Sequence, residues 1–440
     1  MYALLSLFVS NTFAANELIT EQVTVTITNG EYLSELIKAE DAPLITNLKI
    51  VGNIDGTDIA YLREEKVKSN LHILDLSMAN ILLLSYLREL LGVGKYYGMN
   101  KEKVKSNLHI LDLSMANICE GGDYYCNFSY RGKTYQAYTA NNAITAYMFA
   151  SCHSLTKLTL PYNITIISSY AFYDCSELEE IAHADKITAI KDHAFMNCSK
   201  LKEFKLPELE KLEEFTFSKC SSLTSLEIPE GITYLPQSFA SYCSSLKNLK
   251  LPSTLNKIML YALSGCSSLE RIDLPETLES IMDNAFAGCT SLKYFRLPEG
   301  IKDVGGYIIS GCKQIEELHL PKLPLIMSHS VFSDCQVKHL YAYQERPHKI
   351  NEYTFKNINY DTCTLHVPKG KREAYAEAFY WRNFATIVEM DDPTGVSTTE
   401  TVEPLETTRY AIDGTIVKGK KKGVNIIKYN DGTTKKVIVR

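Results

Sequence analysis

The sequence predicts an α/β repeat fold: a right-handed solenoid of about nine 23-residue coils with parallel strands, followed by a small C-terminal antiparallel β domain. The main observation is a fixed spacing of cysteines. The second is a change in composition near the C-terminus. Seven of the eight gaps between nine of the 12 cysteines are 23 residues and one is 22. These cysteines are Cys152, Cys175, Cys198, Cys220, Cys243, Cys266, Cys289, Cys312 and Cys335. A length of 440 residues would otherwise suggest roughly three domains, but a period of this size indicates stacked repeats.

Each repeat carries the pattern of one short strand. Aliphatic residues recur three, six and eight positions after the cysteine, and mostly polar residues occupy positions five and seven. This alternation is typical of a strand with one buried face. A proline usually follows at position nine and ends the strand, because it has no amide to donate. A single coil cannot bury its apolar side alone, so the pattern predicts a leucine-rich-repeat solenoid.

The repeats resemble the BspA-like class of leucine-rich repeats. The resemblance rests on the recurring segments Cys-Ser-Ser-Leu, Leu-Pro, a later isoleucine and Ala-Phe, over residues 144–345. It implies a surface protein that takes part in adhesion. Several coils depart from the pattern: Ala184 replaces the proline after Cys175, Leu263 and Ile309 replace the phenylalanine, and the coil after Cys335 is one residue short before its strand.

Residues 16–143 are predicted to form an N-terminal cap region that contains a duplication. Residues 65–81 recur identically at residues 102–118, and each copy has a strand pattern that could add a coil. The segments Gly-Thr-Asp-Ile, Tyr-Leu-Arg-Glu, Leu-Asp-Leu-Ser and Gly-Gly-Asp-Tyr-Tyr resemble the N-terminal region of BspA-like proteins, which normally contains them once. We therefore expect one copy to fit poorly.

The N-terminus indicates export. Residues 1–15 combine an apolar segment with the small residues Ala14 and Ala15, which is typical of a secretory signal peptide. No stretch of 18 apolar residues predicts a transmembrane helix. The net charge of -6 gives no reason to expect nucleic acid as a partner. The expected location is the outer-membrane surface or the extracellular space.

The C-terminal part is divided into a cap at 346–390, a linker at 391–408 and a β domain at 409–440. Trp381 is predicted to lie in the core of the cap, since Trp381 and Phe384 resemble the closing cap of BspA-like arrays. The last segment holds nine Lys and Arg residues against two acidic residues, and its turns predict a small antiparallel sheet. It resembles the sorting domain of proteins exported by the type IX secretion system, which implies that secretion machinery is a partner.

The cysteines are interpreted as buried packing residues. Equivalent side chains of a stacked repeat point the same way and do not converge into disulfide geometry. No Cys-x-x-Cys pair exists and the histidines do not cluster with the thiols, so no metal site is predicted. A local disulfide between Cys119 and Cys126 remains an alternative, and Cys363 has no assigned partner.

No catalytic motif is present, since Gly-x-Ser-x-Gly, His-Glu-x-x-His, P-loop and Gly-x-Gly-x-x-Gly patterns are absent. We predict no catalytic residue and no cofactor. The outward strand positions form the expected partner surface of a solenoid. One aromatic–arginine cluster there has the composition of an interaction hot spot, although an ordinary polar surface is the alternative. The candidate binding face consists of Arg271, Asp273, Tyr294, Arg296, Glu317 and His319.

The sequence therefore favours a non-enzymatic cell-surface protein that binds proteins and acts in adhesion. Its partners would be host or microbial surface macromolecules, with protein favoured over glycan. The alternative is a surface glycan-binding accessory protein. That function predicts a local aromatic platform, whereas the tyrosines look spread along the chain.

Overall fold

The computed structural model describes residues 18–28, 31–54, 61–62, 71–81, 107–118, 121–130, 133–140, 142–323, 325–390, 406–411, 415, 423–429 and 434–439. The predicted signal peptide, most of the predicted linker and Cys119 lie outside these residues. The chain divides into two units, residues 1–390 and 391–440.

The described residues contain 27 strands, named here in chain order. Those of the N-terminal region are β1 (Val23–Ile27), β2 (Asn47–Ile54), β3 (Ile73–Ile81), β4 (Ile110–Asp112), β5 (Asn117–Ile118), β6 (Gly121–Tyr130) and β7 (Lys133–Thr139). Those of the repeats and the cap are β8 (Ala143–Ile144), β9 (Lys157–Thr159), β10 (Ile166–Ile167), β11 (Glu180–Ala182), β12 (Ala189–Ile190), β13 (Ser225–Glu227), β14 (Tyr234–Leu235), β15 (Asn248–Lys250), β16 (Lys257–Ile258), β17 (Ser280–Ile281), β18 (Tyr294–Arg296), β19 (Asp303–Val304), β20 (Ile315–Leu320), β21 (Ile326–Met327), β22 (Val337–Ala342), β23 (Thr364–Pro368) and β24 (Thr386–Met390). The last three are β25 (Glu406–Ala411), β26 (Gly423–Tyr429) and β27 (Thr434–Val439).

The predicted solenoid of stacked coils with parallel strands is confirmed. Equivalent strands of successive coils pair in parallel with a register of one repeat, as Glu180 with Lys157 shows. We call the surface formed by these strands the strand face. It consists of the sheets β1-β2-β3-β4-β9-β11, β13-β15 and β18-β20-β22-β23-β24. A second side of each coil forms the shorter parallel sheets β8-β10-β12 and β14-β16-β17-β19-β21.

The third side of each coil is a series of turns. These turns are also hydrogen-bonded from coil to coil, since the Phe149 amide donates to the Ala171 carbonyl at 2.8 Å and the Phe172 amide to the Ala194 carbonyl at 2.8 Å. Backbone groups of the turn side are therefore paired along the stack, as burial requires. The two α-helices defined among the described residues lie outside the 23-residue coils, as α1 (Leu33–Leu36) and α2 (Arg372–Glu377).

A stack of phenylalanines and a row of thiols fill the core. The rings of Phe149, Phe172 and Phe195 are nearly parallel, with centroids 5.4 and 5.2 Å apart. The prediction that the nine periodic cysteines are buried thiols is confirmed, because all are free and 0% exposed. From Cys175 to Cys312, each thiol contacts a backbone carbonyl of the preceding coil, and the Cys198 thiol donates to Phe172 at 3.1 Å. Burial raises the pKa of the Cys243 thiol to about 12, so it stays protonated and unreactive at neutral pH.

The strand face is interrupted at two places. No strand pair joins β11 to the coil of Glu203, which is the coil with the 22-residue spacing. The second interruption lies between β15 and Arg271, within the fully described range 142–323. Leu249 and Leu274 are only partly buried beside it. The stack is thus a series of strand-face segments over one continuous core.

Both copies of the duplicated segment contribute a strand. Ile73 pairs with Ile110 and Asp75 with Asp112, so β3 and β4 are neighbours in the stack. The expectation that one copy fits poorly cannot be compared with the structure, because residues 82–106 lie outside the described part. The antiparallel hairpin β6-β7 follows, and the sequence pattern did not predict it.

The C-terminal cap closes the stack with aromatic packing. Trp381 is buried, and its Nε1 donates to the His348 carbonyl at 2.8 Å. Its ring makes edge-to-face contacts with the rings of Phe355 and Tyr375. The second unit forms the antiparallel sheet β25-β26-β27, as predicted, and its first strand begins at Glu406, within the predicted linker.

Candidate functional site

The six residues of the candidate binding face lie on three successive coils of the strand face. Arg271 is paired with Tyr294, Tyr294 with Glu317, and Arg296 with His319. The backbone register thus places Arg271, Tyr294 and Glu317 in one column and Asp273, Arg296 and His319 in the next. Outward positions of consecutive coils meet in this way because the repeat length sets the register of the parallel strands.

Arginine and tyrosine are in direct contact at the N-terminal edge of this face. The Arg271 guanidinium lies 4.6 Å from the centre of the Tyr294 ring, a cation–π contact. Arg271 also donates from Nε to Asp273 at 2.9 Å, and Arg296 forms an ion pair with Glu276 at 3.2 Å. Glu276 was not part of the predicted face. Both arginine side chains remain partly exposed, at 57% and 42%.

His319 lies beneath the surface of this face. It is 1% exposed, so it would not contact a partner first, unlike the other outward residues predicted with it. Its Nδ1 lies 2.7 Å from the Tyr343 hydroxyl and its Nε2 lies 3.0 Å from Glu317. The ring stacks on Tyr341 with centroids 4.3 Å apart. His319 therefore holds its neighbours in position.

The structure adds residues from the next two coils. Tyr341 pairs with His319 and with His366 in the strand register, and the Tyr341 and His366 rings are stacked at 4.4 Å. His339 Nδ1 lies 3.1 Å from His366 Nε2. The sequence reasoning missed these residues because the coil after Cys335 is one residue short. Alignment on the buried Leu340 instead of the cysteine would have placed them correctly.

We call the resulting cluster the aromatic section. It comprises Tyr294, His319, His339, Tyr341, Tyr343 and His366. Burial lowers the pKa of His319, although the neighbouring Glu317 opposes this shift. Burial and the adjacent His339 lower the pKa of His366. Burial also raises the pKa of Tyr343. The section is therefore largely uncharged at neutral pH, with charge supplied at its edge by Arg271, Arg296 and Glu317.

The preceding coils carry a different surface, which we call the ion-pair section. It comprises the outward positions of residues 157–250. Lysines and glutamates of adjacent coils pair there, as in Lys157–Glu180 at 3.1 Å and Lys250–Glu227 at 2.5 Å. An open groove of about 790 Å³ extends from Glu203 to Asp273 across the second interruption.

The described residues contain no group of three or more His, Cys, Asp or Glu side chains that could hold a metal ion. Over the same residues, no helix is long and apolar enough to cross a membrane.

An open solenoid with an extended, structured outer surface defines a binding scaffold of the leucine-rich-repeat class. The sequence model of the BspA type leucine-rich repeat region matches six copies, at residues 142–270 and 256–386, which is more than half of the chain. The chain belongs to this family.

The chain is also similar to solved structures of bacterial leucine-rich-repeat proteins. One from Bacteroides ovatus is 22% identical, with 57% of this chain and 71% of that chain covered and a TM-score of 0.41. A leucine rich cell surface protein from Faecalibacterium prausnitzii is 18% identical, with 60% and 86% covered and a TM-score of 0.37. A leucine rich repeat protein of T. pallidum is 26% identical, with 35% and 72% covered and a TM-score of 0.33. No match is found among curated proteins.

Proposed function

We propose that the protein is a non-enzymatic cell-surface adhesion protein that binds other proteins through the aromatic section and its arginine edge. One observation carries the proposal. A chain of ring contacts runs from Arg271 over Tyr294 to His319, Tyr341 and His366, with successive distances of 4.6, 5.1, 4.3 and 4.4 Å. The chain therefore crosses five coils without a break.

The composition and rigidity of this cluster support protein binding. Tyrosine and arginine are enriched at binding hot spots because they offer large contact areas that are dehydrated on binding. The rings are held by their stacking and by the buried hydrogen bonds of His319. A preordered surface gives up less conformational freedom when a partner binds. The outward positions of the ion-pair section carry no aromatic or arginine side chain.

The test is surface plasmon resonance of the full-length protein against a panel of purified extracellular matrix proteins. Tyr294→Asn and Tyr341→Thr each place a residue that other coils carry at the same position, namely Asn248 and Thr159. We expect each variant to weaken binding of a captured matrix protein about tenfold, or about 1.4 kcal/mol.

Lys157→Ala is the matched control, because Lys157 and Tyr294 both lie five residues after the cysteine of their coil, but Lys157 belongs to the ion-pair section. It should change affinity less than about twofold. Failure of every matrix protein to bind, or equal losses in all three variants, would contradict the proposed function.

Export to the surface forms part of this proposal. Its support is the apolar segment of residues 1–15 and the resemblance of residues 409–440 to a sorting domain. A chain truncated after Met390 should remain inside a host that has a type IX secretion system, while the full chain reaches the surface. Surface display of the truncated chain would refute the sorting role.

A further inference from the structure

The turn side of the coils carries a second row of aromatic residues. It lies five positions before each cysteine, and its backbone is left-handed, with φ between 51° and 60°. Its members are Tyr147, Tyr170, His193, Phe215, Ser238, Tyr261, Asn284, Tyr307 and Ser330. The Phe332 amide donates to the carbonyl of Thr354, the residue after Tyr353, just as the Phe149 amide donates to the carbonyl of Ala171, the residue after Tyr170. Tyr353 therefore continues the row. Tyrosines that look scattered in the sequence therefore form one row.

The first four members cover one another's faces. The rings of Tyr147, Tyr170, His193 and Phe215 are stacked, with successive centroid distances of 4.8, 4.4 and 4.6 Å. The planes of successive rings differ by 4°, 13° and 16°. These distances also measure the spacing of adjacent coils. A closed stack of this kind leaves little ring surface for a ligand.

The later members alternate with small polar residues. Asn284 separates Tyr261 from Tyr307, and Ser330 separates Tyr307 from Tyr353. Each of these three tyrosines is 43% exposed. Neighbouring tyrosines are thus two coils apart, which corresponds to roughly 9–10 Å. Each intervening residue has a shorter side chain than tyrosine, so the rings of this part of the row are not packed on one another as the first four are.

A shelf without side chains lies on the same turns, four residues after the row positions. It is formed by Gly265, Gly288 and Gly311, which directly precede the cysteines of three successive coils and have φ of 74–77°. Tyr242, which is 59% exposed, lies against Gly265, where an added Cβ would be 2.7 Å from its Cδ1. A Cβ at Gly288 would have the Gly265 backbone, at 3.6 Å, as its nearest neighbour. The glycines thus keep the surface open beside the tyrosines.

We propose that Tyr242, Tyr261 and Tyr307 form a binding site for a neutral polysaccharide. Tyr261 and Tyr307 belong to the row, and Tyr242 lies at the shelf position of the preceding coil. The apolar faces of sugar rings pack on exposed aromatic rings, and contact on both faces of a ring requires at least about 7–8 Å between the flanking planes. The two-coil spacing of Tyr261 and Tyr307 exceeds this minimum.

The charge of the surroundings favours a neutral ligand. The row and shelf positions from Tyr261 to Gly311 are uncharged, namely Tyr261, Gly265, Asn284, Gly288, Tyr307 and Gly311. The charged side chain on these turns is that of Asp283, which is exposed and accepts a hydrogen bond from the Gly306 amide at 2.7 Å. Asn284 and the tyrosine hydroxyls supply donors and acceptors for sugar hydroxyls. The strand face, in contrast, carries ion pairs and arginines. The proposed site is therefore independent of the protein-binding face.

The experiment is isothermal titration calorimetry of the full-length protein with β-1,4-linked hexasaccharides of glucose and of N-acetylglucosamine. The double variant Tyr261→Ser/Tyr307→Asn introduces residues that Ser238 and Asn284 already carry at the same position with positive φ, so the fold should tolerate it. We expect saturable binding of at least one hexasaccharide by the wild type and at least a tenfold loss in the double variant. Tyr234→Ser removes an exposed tyrosine of β14, outside the row, and should bind as the wild type does.

Two further results separate this site from the strand face. Tyr294→Asn should retain hexasaccharide binding, whatever its effect on matrix proteins. The proposal is overturned if neither hexasaccharide binds the wild type at millimolar concentration, or if the double variant binds as well as the wild type. It is also overturned if the double variant loses a matrix protein while the wild type binds neither sugar, since the row would then be a protein-docking surface.

Discussion

The ion-pair section and the aromatic section are built on the same backbone and present different surfaces. In both, the strand register aligns the outward residues of adjacent coils, and Lys157 and Tyr294 each lie five residues after the cysteine of their coil. Lysines and glutamates of the first section neutralise each other across adjacent coils. In the second section, rings stack and bury His319 beneath them. A solenoid can therefore vary its binding chemistry along its length without a change in its core.

The difference shows which of the two sections can contribute more free energy to the binding of a partner. Exposed ion pairs contribute little because water and salt screen them. The aromatic section has removed polar groups from water and satisfied them internally, and it still presents Tyr294 and Tyr341 at the surface. The contrast predicts that substitutions in the two sections will have unequal effects on stability, pH response and salt response.

The largest effect is expected for His319→Ala. The substitution removes the stack on Tyr341 and leaves the buried Tyr343 hydroxyl without the partner that lies 2.7 Å away. We expect a loss of about 2–4 kcal/mol in the free energy of unfolding, measured by urea denaturation and circular dichroism. His319→Gln, which can retain one hydrogen bond, should lose less. A loss in His319→Ala no larger than that in Lys250→Ala would contradict the assigned role of His319.

The second-largest expected effect is a loss of folding stability in acid that comes from the aromatic section and the cap. Burial lowers the pKa of His319 and His366, and it lowers the pKa of His348, near the cap, to about 4. The unfolded chain takes up these protons first, near pH 6.5, so stability is lost as the pH falls from about 6.5 towards the folded pKa. His348 alone should account for roughly 2 kcal/mol between pH 7.5 and pH 5. The ion-pair section should change only at lower pH, because lysine partners lower the pKa of Glu179 and Glu227.

Hydrogen exchange followed by mass spectrometry resolves the two sections in one experiment. Peptides from residues 315–367 should lose protection at pH 5, after correction for intrinsic exchange rates, whereas peptides from residues 157–250 should not. Equal loss of protection in both sets would show that the buried histidines do not cause the acid response.

The smallest effect is expected for Lys250→Ala, which removes the ion pair with Glu227. Both side chains are largely exposed, at 72% and 69%, so the shift in melting temperature should be far smaller than that of His319→Ala. Added salt should reduce even this difference between variant and wild type, as measured by thermal unfolding in 0.05 M and 1 M NaCl. A shift as large as that of His319→Ala, or one that salt leaves intact, would mean that the ion-pair section contributes more than screened surface charges can.

Part of the candidate face was accessible from the sequence. Arg271, Tyr294 and Arg296 lie at the strand positions that the cysteine period assigned to them, and they form the expected aromatic–arginine cluster. The burial of His319 was not accessible, because it depends on Tyr341 and Tyr343 from the following coil. Those tyrosines were overlooked because the coil after Cys335 is one residue short, which shifts the strand positions counted from the cysteine. The glycan alternative was discounted for a related reason: the spacing of the tyrosines was read along the chain rather than along the stack.

The sequence by itself determined the period, the buried positions and the parallel strands, because each of these follows from a pattern repeated within every coil. The tertiary structure decided which side chains of different coils meet, which of them are covered and where the strand face is interrupted. Such contacts join residues about 23 positions apart, and they depend on the identity and length of neighbouring coils. A pattern common to all coils fixes the core of the stack, but only the stacked neighbours determine what its surfaces can bind.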